Sequence, residues 1–134
     1  MKESFVAWVY IIAWKLLRML PEKTAYSLFD RGAKWLVKRD GKSVRRLRKN
    51  LARVSTDLSD VQLNSLLEEA MSSYMRYWCD TFRFPNWNND RINETVTVTR
   101  EELLLDGIKS GRGVIVALPH AGNWDHAGAY FCLK

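Results

Sequence analysis

Cysteine and histidine are both scarce in this chain of 134 residues, with two of each. Two cysteines, Cys79 and Cys132, are too few for a disulfide framework or a structural zinc site, so we interpret them as reduced thiols. Proline and glycine are also infrequent, at three and seven residues, while hydrophobic residues make up 47% of the chain. This composition excludes a disordered tail and predicts globular material with a real core.

No apolar run reaches the length of about 20 residues that a membrane-spanning helix needs. The longest run extends from Phe5 to Trp14, and Lys15 and Arg18 interrupt its continuation. The flanking charges also argue against a signal peptide. Two interpretations of residues 1–20 stay open, namely a helix packed into the core and a helix in the membrane interface with its cations at the headgroups.

Acidic residues are outnumbered, with 15 against 21 lysines and arginines, so the net charge is +6. The imbalance is strongest in residues 38–53, where eight of sixteen residues are basic and one is acidic. Val44, Leu47 and Leu51 keep helical spacing in this segment, which predicts a packed helix with the cations outside. A solvated helix face is the simpler interpretation. We favour a surface that meets phosphates, such as an anionic membrane.

Helix signals dominate the first hundred residues. Pro21 suits the first turn of a second helix, and Gly41 is a plausible end for it. Ser59–Gln62 predicts a capping box that opens a long helix, which should end before Pro85. Thr99–Glu102 predicts another capping box, followed by a shorter helix.

Strand signals appear only in the last third of the chain. Val96 and Val98 alternate with threonines, and Gly113–Leu118 is a short apolar run typical of a buried parallel strand. We therefore predict an α/β fold in which N-terminal helices lead into an incomplete, mostly parallel sheet flanked by helices. Because a sheet of four to six strands needs more chain, residues 1–134 should be the N-terminal part of one larger domain.

Both histidines fall in the stretch LPHAGNWDH, residues 118–126. A spacing of five points His120 and Asp125 apart on a helix and onto opposite faces on a strand. A turn brings them together if Gly122 reverses the chain and Asn123 or Asp125 begins the next helix. A carboxylate bonded to an imidazole fixes its tautomer and stabilises its cation. We therefore predict His120 as a general base that Asp125 orients.

The proton that His120 would take belongs to a substrate hydroxyl, because this turn holds no serine or cysteine nucleophile. The alternative, a histidine that only bonds to backbone, does not account for the Pro, Gly, Asn and Asp around it at a strand end. His126 is adjacent to Asp125, so its side chain should diverge from the pair. We interpret His126 as a supporting or core residue.

These residues resemble a known family. The block from His120 to Asp125 resembles the HxxxxD motif of the glycerolipid and lipid A acyltransferase superfamily. Its flanks, together with residues 48–54 and 73–78, resemble the bacterial phosphatidylinositol mannoside acyltransferases within that superfamily.

The resemblance implies an acyltransferase that moves a fatty acyl group from acyl-CoA to a hydroxyl of a membrane glycolipid. It implies a peripheral or interfacially anchored enzyme at the cytoplasmic face of the cell membrane, with an anionic membrane surface as partner and no metal or other cofactor. His120 and Asp125 become catalytic, and Asn123, Trp124 and Arg76 become candidates for substrate binding. The family's later motifs are expected beyond residue 134.

Four alternatives remain open. The acceptor lipid could be that of a lipid A-type lauroyl or myristoyl acyltransferase, or the chain could be a non-catalytic fragment. A metal-dependent hydrolase of the HxHxDH type would need histidines where the sequence has Ala121 and Asn123. A nucleic-acid-binding module rests only on the basic helix and leaves the LPHAGNWD block unexplained, so we expect no nucleic acid partner.

Overall fold

The computed structural model describes residues 2–117, 119 and 121–133, with side chains from residue 5 onward. The described chain forms seven α-helices and one 3-10 turn: α1 (Lys2–Met19), α2 (Glu22–Arg39), α3 (Lys42–Val54), α4 (Asp60–Arg83), the 3-10 turn Phe84–Asn86, α5 (Asn89–Thr95), α6 (Glu101–Lys109) and α7 (Trp124–Cys132). They belong to two compact units, Met1–Pro85 and Asn86–Lys134. Each unit is described by itself below.

The first unit is built around α4, against which α1, α2 and α3 all pack. Ala25 and Ala33 on α2 are completely buried, because side chains this small let the α2 backbone come close to α4. One buried cluster joins Ala33 to Val44, Leu67 and Met71. A second cluster, toward the other end of the helices, joins Ala25 to Leu17 and Cys79.

The predicted ends of the first-unit helices are largely confirmed. The Ser59–Gln62 capping box is present, with both reciprocal hydrogen bonds. Helix α4 ends at Arg83, ahead of Pro85, and α3 holds Val44 in the core while most of its cations are exposed. The chain satisfies these helix termini locally, which is why sequence patterns could locate them.

The capping box predicted at Thr99–Glu102 is wrong. Helix α6 begins at Glu101, and Arg100 occupies the capping position with φ of 61° and no capping side-chain bond. In this left-handed conformation the chain enters the helix without using the hydroxyl of Thr99. The first residue of α6 is instead held by a hydrogen bond from α7, in which the Tyr130 hydroxyl donates to Glu101 Oε1 at 2.8 Å.

The predicted α/β fold with a parallel sheet is also wrong: the residues that the structure describes contain neither a strand nor a sheet. Residues 96–98 are irregular, and residues 113–117 of the predicted buried strand have no ladder partner. Ile115 is fully exposed instead of buried. The physical reason is that a strand depends on a neighbouring strand for its backbone hydrogen bonds, which an apolar pattern cannot supply.

Within the second unit, Val114 from residues 113–117 packs beside helix α6. Val114 lies so close to Gly107 of α6 that a Cβ at this glycine would be 2.5 Å from a Val114 methyl. An apolar groove of about 410 Å³ lies beside this contact, and its lining includes Leu105, Ile108 and Phe131. Val114 and Val116 thus line a groove beside α6, while Ile115 between them points to solvent.

Candidate active site

The start of α7 is the best-defined part of the predicted site. Asn123 precedes the helix, and its Oδ1 accepts a hydrogen bond from the backbone N–H of His126 at 3.1 Å. Its carbonyl oxygen accepts from the N–H of Ala127 at 3.3 Å. The prediction that a helix begins at this point of the motif is confirmed, with Asn123 as its cap.

The chain bends sharply just before this cap. Gly122 has φ of 63°, in the left-handed region that other L-residues disfavour. Ahead of it, the N–H of Ala121 donates to the carbonyl of Pro119 at 2.8 Å. The glycine of the motif therefore has a conformational role that no other residue fills without strain.

Asp125 lies in the first turn of α7 and is half-buried. The N-terminus of a helix carries partial positive charge, so a carboxylate is stabilised at this position. Trp124 beside it has 39% of its surface exposed. His120 lies outside the described residues, so its contact with Asp125 stays a prediction, as does substrate binding by Asn123 and Trp124.

His126 points into a contact of its own. Its Nε2 lies 3.0 Å from the hydroxyl oxygen of Thr95, and its ring meets that of Trp87 edge-on at 4.9 Å. The Thr95 hydroxyl also lies 2.6 Å from the carbonyl oxygen of Arg91, which accepts a hydrogen bond from it. The ring of His126 is therefore held against α5 through Nε2.

Sequence reasoning missed the residues that hold His126. They lie in and just after residues 85–93, whose polar composition predicts a loop, and the structure has the end of the 3-10 turn and α5 there. Trp87 contacts two side chains: the guanidinium of Arg91 lies 4.3 Å from the centroid of its ring, and the His126 ring meets it edge-on at 4.9 Å. The available signal was Asn88, which caps α5 by accepting from the N–H of Arg91.

Arg76 lies in the first unit, on the exposed side of α4. Its guanidinium is 5.1 Å from the centroid of the Tyr26 ring, and the Tyr26 hydroxyl donates to Asp80 Oδ1 at 2.6 Å. Asp30 accepts from Ser72 nearby, and hydrogen bonds from Lys34 and then Ser72 hold the pKa of Asp30 below its usual value. Arg76 is thus part of a polar seam between α2 and α4, and its role in substrate binding stays a prediction.

Helix α1 exposes its long apolar run. Every residue from Phe5 to Trp14 is exposed, including Phe5 at 70% and Trp8 at 63%, and Leu17 is the helix's buried hydrophobic residue. Helix α1 is therefore packed into the core at Leu17, toward its C-terminal end, while its run from Phe5 to Trp14 is exposed. Across the described residues, no helix combines the length and the apolar character needed to cross a membrane.

Comparison with known proteins identifies the family. The model of the bacterial lipid A biosynthesis acyltransferases matches residues 1–134. A phosphatidylinositol mannoside acyltransferase of Mycolicibacterium smegmatis is 38% identical over 122 residues, covering 90% of this chain and 39% of that protein. One of Mycobacterium tuberculosis is 34% identical over 125 residues, covering 92% of this chain and 39% of that protein.

No solved structure matches the chain. The chain spans about two fifths of the length of the curated relatives it matches. The family match nevertheless extends over all of its residues, including the turn and helix that carry the candidate site. On this evidence the chain belongs to the bacterial lipid A biosynthesis acyltransferase family.

Proposed function

We propose that the chain is part of an acyltransferase that moves a fatty acyl group from acyl-CoA to a hydroxyl of a membrane glycolipid of the phosphatidylinositol mannoside type. The observation that carries this proposal is the Asn123-capped start of α7, which holds Asp125 in the first helical turn five residues after His120. Family membership and the names of the relatives support the same reaction class.

In the proposed reaction, His120 takes the proton of the acceptor hydroxyl as its oxygen attacks the thioester carbonyl carbon. Asp125 orients the imidazole and stabilises its cation. The tetrahedral intermediate then collapses, the carbon–sulfur bond breaks, and the proton on His120 passes to the departing thiolate of CoA. The backbone N–H groups of His126 and Ala127 already donate hydrogen bonds to Asn123. In the proposed reaction, the partial positive charge at the N-terminus of α7 therefore stabilises the oxyanion.

We place this reaction at an anionic membrane surface, on the cytoplasmic face where acyl-CoA is available. Helix α1 presents a row of exposed aromatic and aliphatic side chains, as interfacial helices do. Helix α3 presents exposed cations, including Lys42, Arg45 and Lys49, and has no acidic residue in its first turn. Apolar and basic surfaces on one unit suit a bilayer with acidic headgroups.

The test is transfer of labelled acyl groups from acyl-CoA to purified acceptor lipids by the whole protein that carries this chain. His120→Ala should abolish turnover, and Asp125→Asn should lower kcat by roughly 10²–10⁴-fold, the range expected for loss of acid–base catalysis. His126→Gln and Asp106→Asn change the same residue types outside the pair and should keep most of the activity. Full turnover by the His120 variant would overturn the mechanism.

A second acceptor class calls for a parallel assay, because the family model is described by lipid A biosynthesis. A lipid A precursor and a phosphatidylinositol mannoside are therefore offered under the same conditions. Preference for the phosphatidylinositol mannoside is expected, since the relatives at 34–38% identity carry that name. Preference for the lipid A precursor would replace the proposed acceptor while leaving the proposed reaction intact.

A further inference from the structure

An apolar groove opens between α1, α2 and α4 in the first unit. Its volume is about 270 Å³, and its walls include Ala13, Trp14 and Leu17 of α1, Leu28 and Phe29 of α2, and Phe82 of α4. The lining is almost entirely carbon, so water inside gains few hydrogen bonds. Such a groove favours an apolar occupant.

Hydrogen bonds from two side chains, Trp14 and Arg83, hold the helices that form this groove together. The indole N–H of Trp14 donates to the carbonyl of Phe82 at 2.7 Å, which fixes one wall to the other. The guanidinium of Arg83 donates to the carbonyls of Leu17 and Leu20, at 3.0 and 2.8 Å, at the end of α1. The groove is therefore formed before any ligand enters, as binding sites for small apolar groups usually are.

The size of the groove limits what it can hold. Pockets for drug-sized ligands measure roughly 300–1,000 Å³, so about 270 Å³ suits part of a single slender chain and not a fused ring system or a whole lipid. Leu28, one of the lining residues, is 53% exposed, so the groove is open to the surface of the first unit. An alkyl chain that enters from a bilayer meets these conditions.

A cation stacks on a residue that lines the groove. The guanidinium of Arg18 is 5.3 Å from the centroid of the Trp14 ring, and Trp14 lines the groove. Lys15 lies about one helical turn before Arg18 on α1. An apolar slot with a guanidinium beside it complements a molecule with a hydrocarbon tail and an anionic head.

We propose that this groove binds one acyl tail of an anionic membrane phospholipid, with the lipid phosphate near Arg18. This site differs from the proposed acyl-transfer site, and it rests on the membrane association described under the proposed function. A bound tail would fix the depth and orientation of α1 in the interface, which exposed side chains alone would leave variable.

The experiment uses vesicles of phosphatidylcholine and phosphatidylinositol that contain phosphatidylinositol with a photoreactive diazirine in the middle of one tail. Sedimentation with the vesicles measures membrane association, and mass spectrometry of crosslinked peptides locates the tail. We expect crosslinks at Ala13, Leu17 and Phe29. Ala13→Trp fills the groove and should lower the crosslinks by roughly tenfold, whereas Ala7→Trp places the same side chain elsewhere on α1 and should leave them.

Two further comparisons make the test sharper. Leu28→Trp obstructs the groove from α2, so it repeats the measurement if Ala13→Trp disturbs α1. Arg18→Gln should lower crosslinking by the phosphatidylinositol probe but not by a phosphatidylcholine probe. Lys23→Gln removes an exposed charge at a residue of α2 that does not line the groove, and it should change crosslinking by neither probe.

Each contrary outcome has a distinct meaning. Normal sedimentation with crosslinks scattered along α1, insensitive to both tryptophan variants, would overturn the groove while leaving membrane association intact. Loss of sedimentation itself would overturn both the groove and the proposed membrane surface. Crosslinking by a photoreactive acyl-CoA and not by the phospholipid would show that the occupant is the acyl donor, and would overturn the lipid assigned to the groove.

Discussion

The side-chain oxygen of Asn123 accepts a hydrogen bond from the backbone N–H of His126 at 3.1 Å, and this bond caps the start of α7. The residues between them include Asp125, which is thereby placed in the first helical turn. The motif therefore contains a structural residue as well as the predicted catalytic ones. Asn123 acts on the position of Asp125 through the helix that it caps.

We expect Asn123→Ala to destabilise the start of α7 by about 1 kcal/mol, because the N–H of His126 loses its acceptor. Amide hydrogen exchange at Asp125 and His126 measures this loss directly. Asn123→Asp and Asn123→Ser keep an acceptor and should preserve protection. Equal protection in the alanine variant would mean that the cap does not hold the helix end.

The two glycines near this helix start should respond oppositely to alanine. Gly122 has φ of 63°, so Gly122→Ala should cost about 1 kcal/mol or more. Gly128 lies inside α7, and a Cβ added there would meet no atom within 4 Å, so Gly128→Ala should stabilise by about 0.5–1 kcal/mol. Thermal unfolding of the two variants gives the comparison, and a shift of the same sign in both would contradict it.

Arg83 should be far more important for stability than its exposed neighbour on α4. It is 8% exposed and bonds two carbonyls at the end of α1, so Arg83→Met should cost about 2–3 kcal/mol by leaving them without that donor. Arg76→Met removes an exposed guanidinium that stacks on Tyr26 and should cost about 1 kcal/mol or less. Urea unfolding checks the difference, and equal losses would refute it.

Cys79 should make stability fall at high pH. Burial raises the pKa of its thiol from 9.0 to about 11. The unfolded chain therefore loses this proton near pH 9 while the folded chain keeps it, so the free energy of unfolding should decrease between pH 9 and about 11. The decrease should be on the order of 2 kcal/mol.

Paired cysteine variants isolate this effect from other groups that titrate in the same range. Cys79→Ala should flatten the decrease, whereas Cys132→Ala should leave it, because Cys132 is exposed. Native-state alkylation provides an independent check: Cys132 should react readily and Cys79 slowly. Rapid labelling of both thiols in the folded chain would contradict the burial of Cys79.

Local patterns were sufficient where the physical cause is local. Ser59 and Gln62 cap α4 through bonds between residues three apart, and Asn123 caps α7 in the same way. The basic face of α3 follows from the spacing of its apolar residues. The block from His120 to Asp125 also indicated the family, and the family match over the whole chain confirms that prediction.

Patterns failed where a distant partner decides the outcome. Leu28 and Trp35 lie seven residues apart on α2, a spacing typical of a buried helix face, yet they are 53% and 55% exposed. The face toward α4 is instead the one that carries Ala25 and Ala33. His126 gave no sign of its partner Thr95, which lies 31 residues earlier in the chain. The predicted role of His120 remains to be tested by activity.

The sequence by itself determined six of the seven described helices, the caps of α4 and α7, and the family, because each depends on residues close together along the chain. Only the tertiary structure decided that residues 113–117 form no strand, that α1 stays exposed, and that a groove lies between α1, α2 and α4. The reason is that strand pairing, burial and cavity shape depend on which surfaces meet in space, and a one-dimensional pattern does not specify the partner.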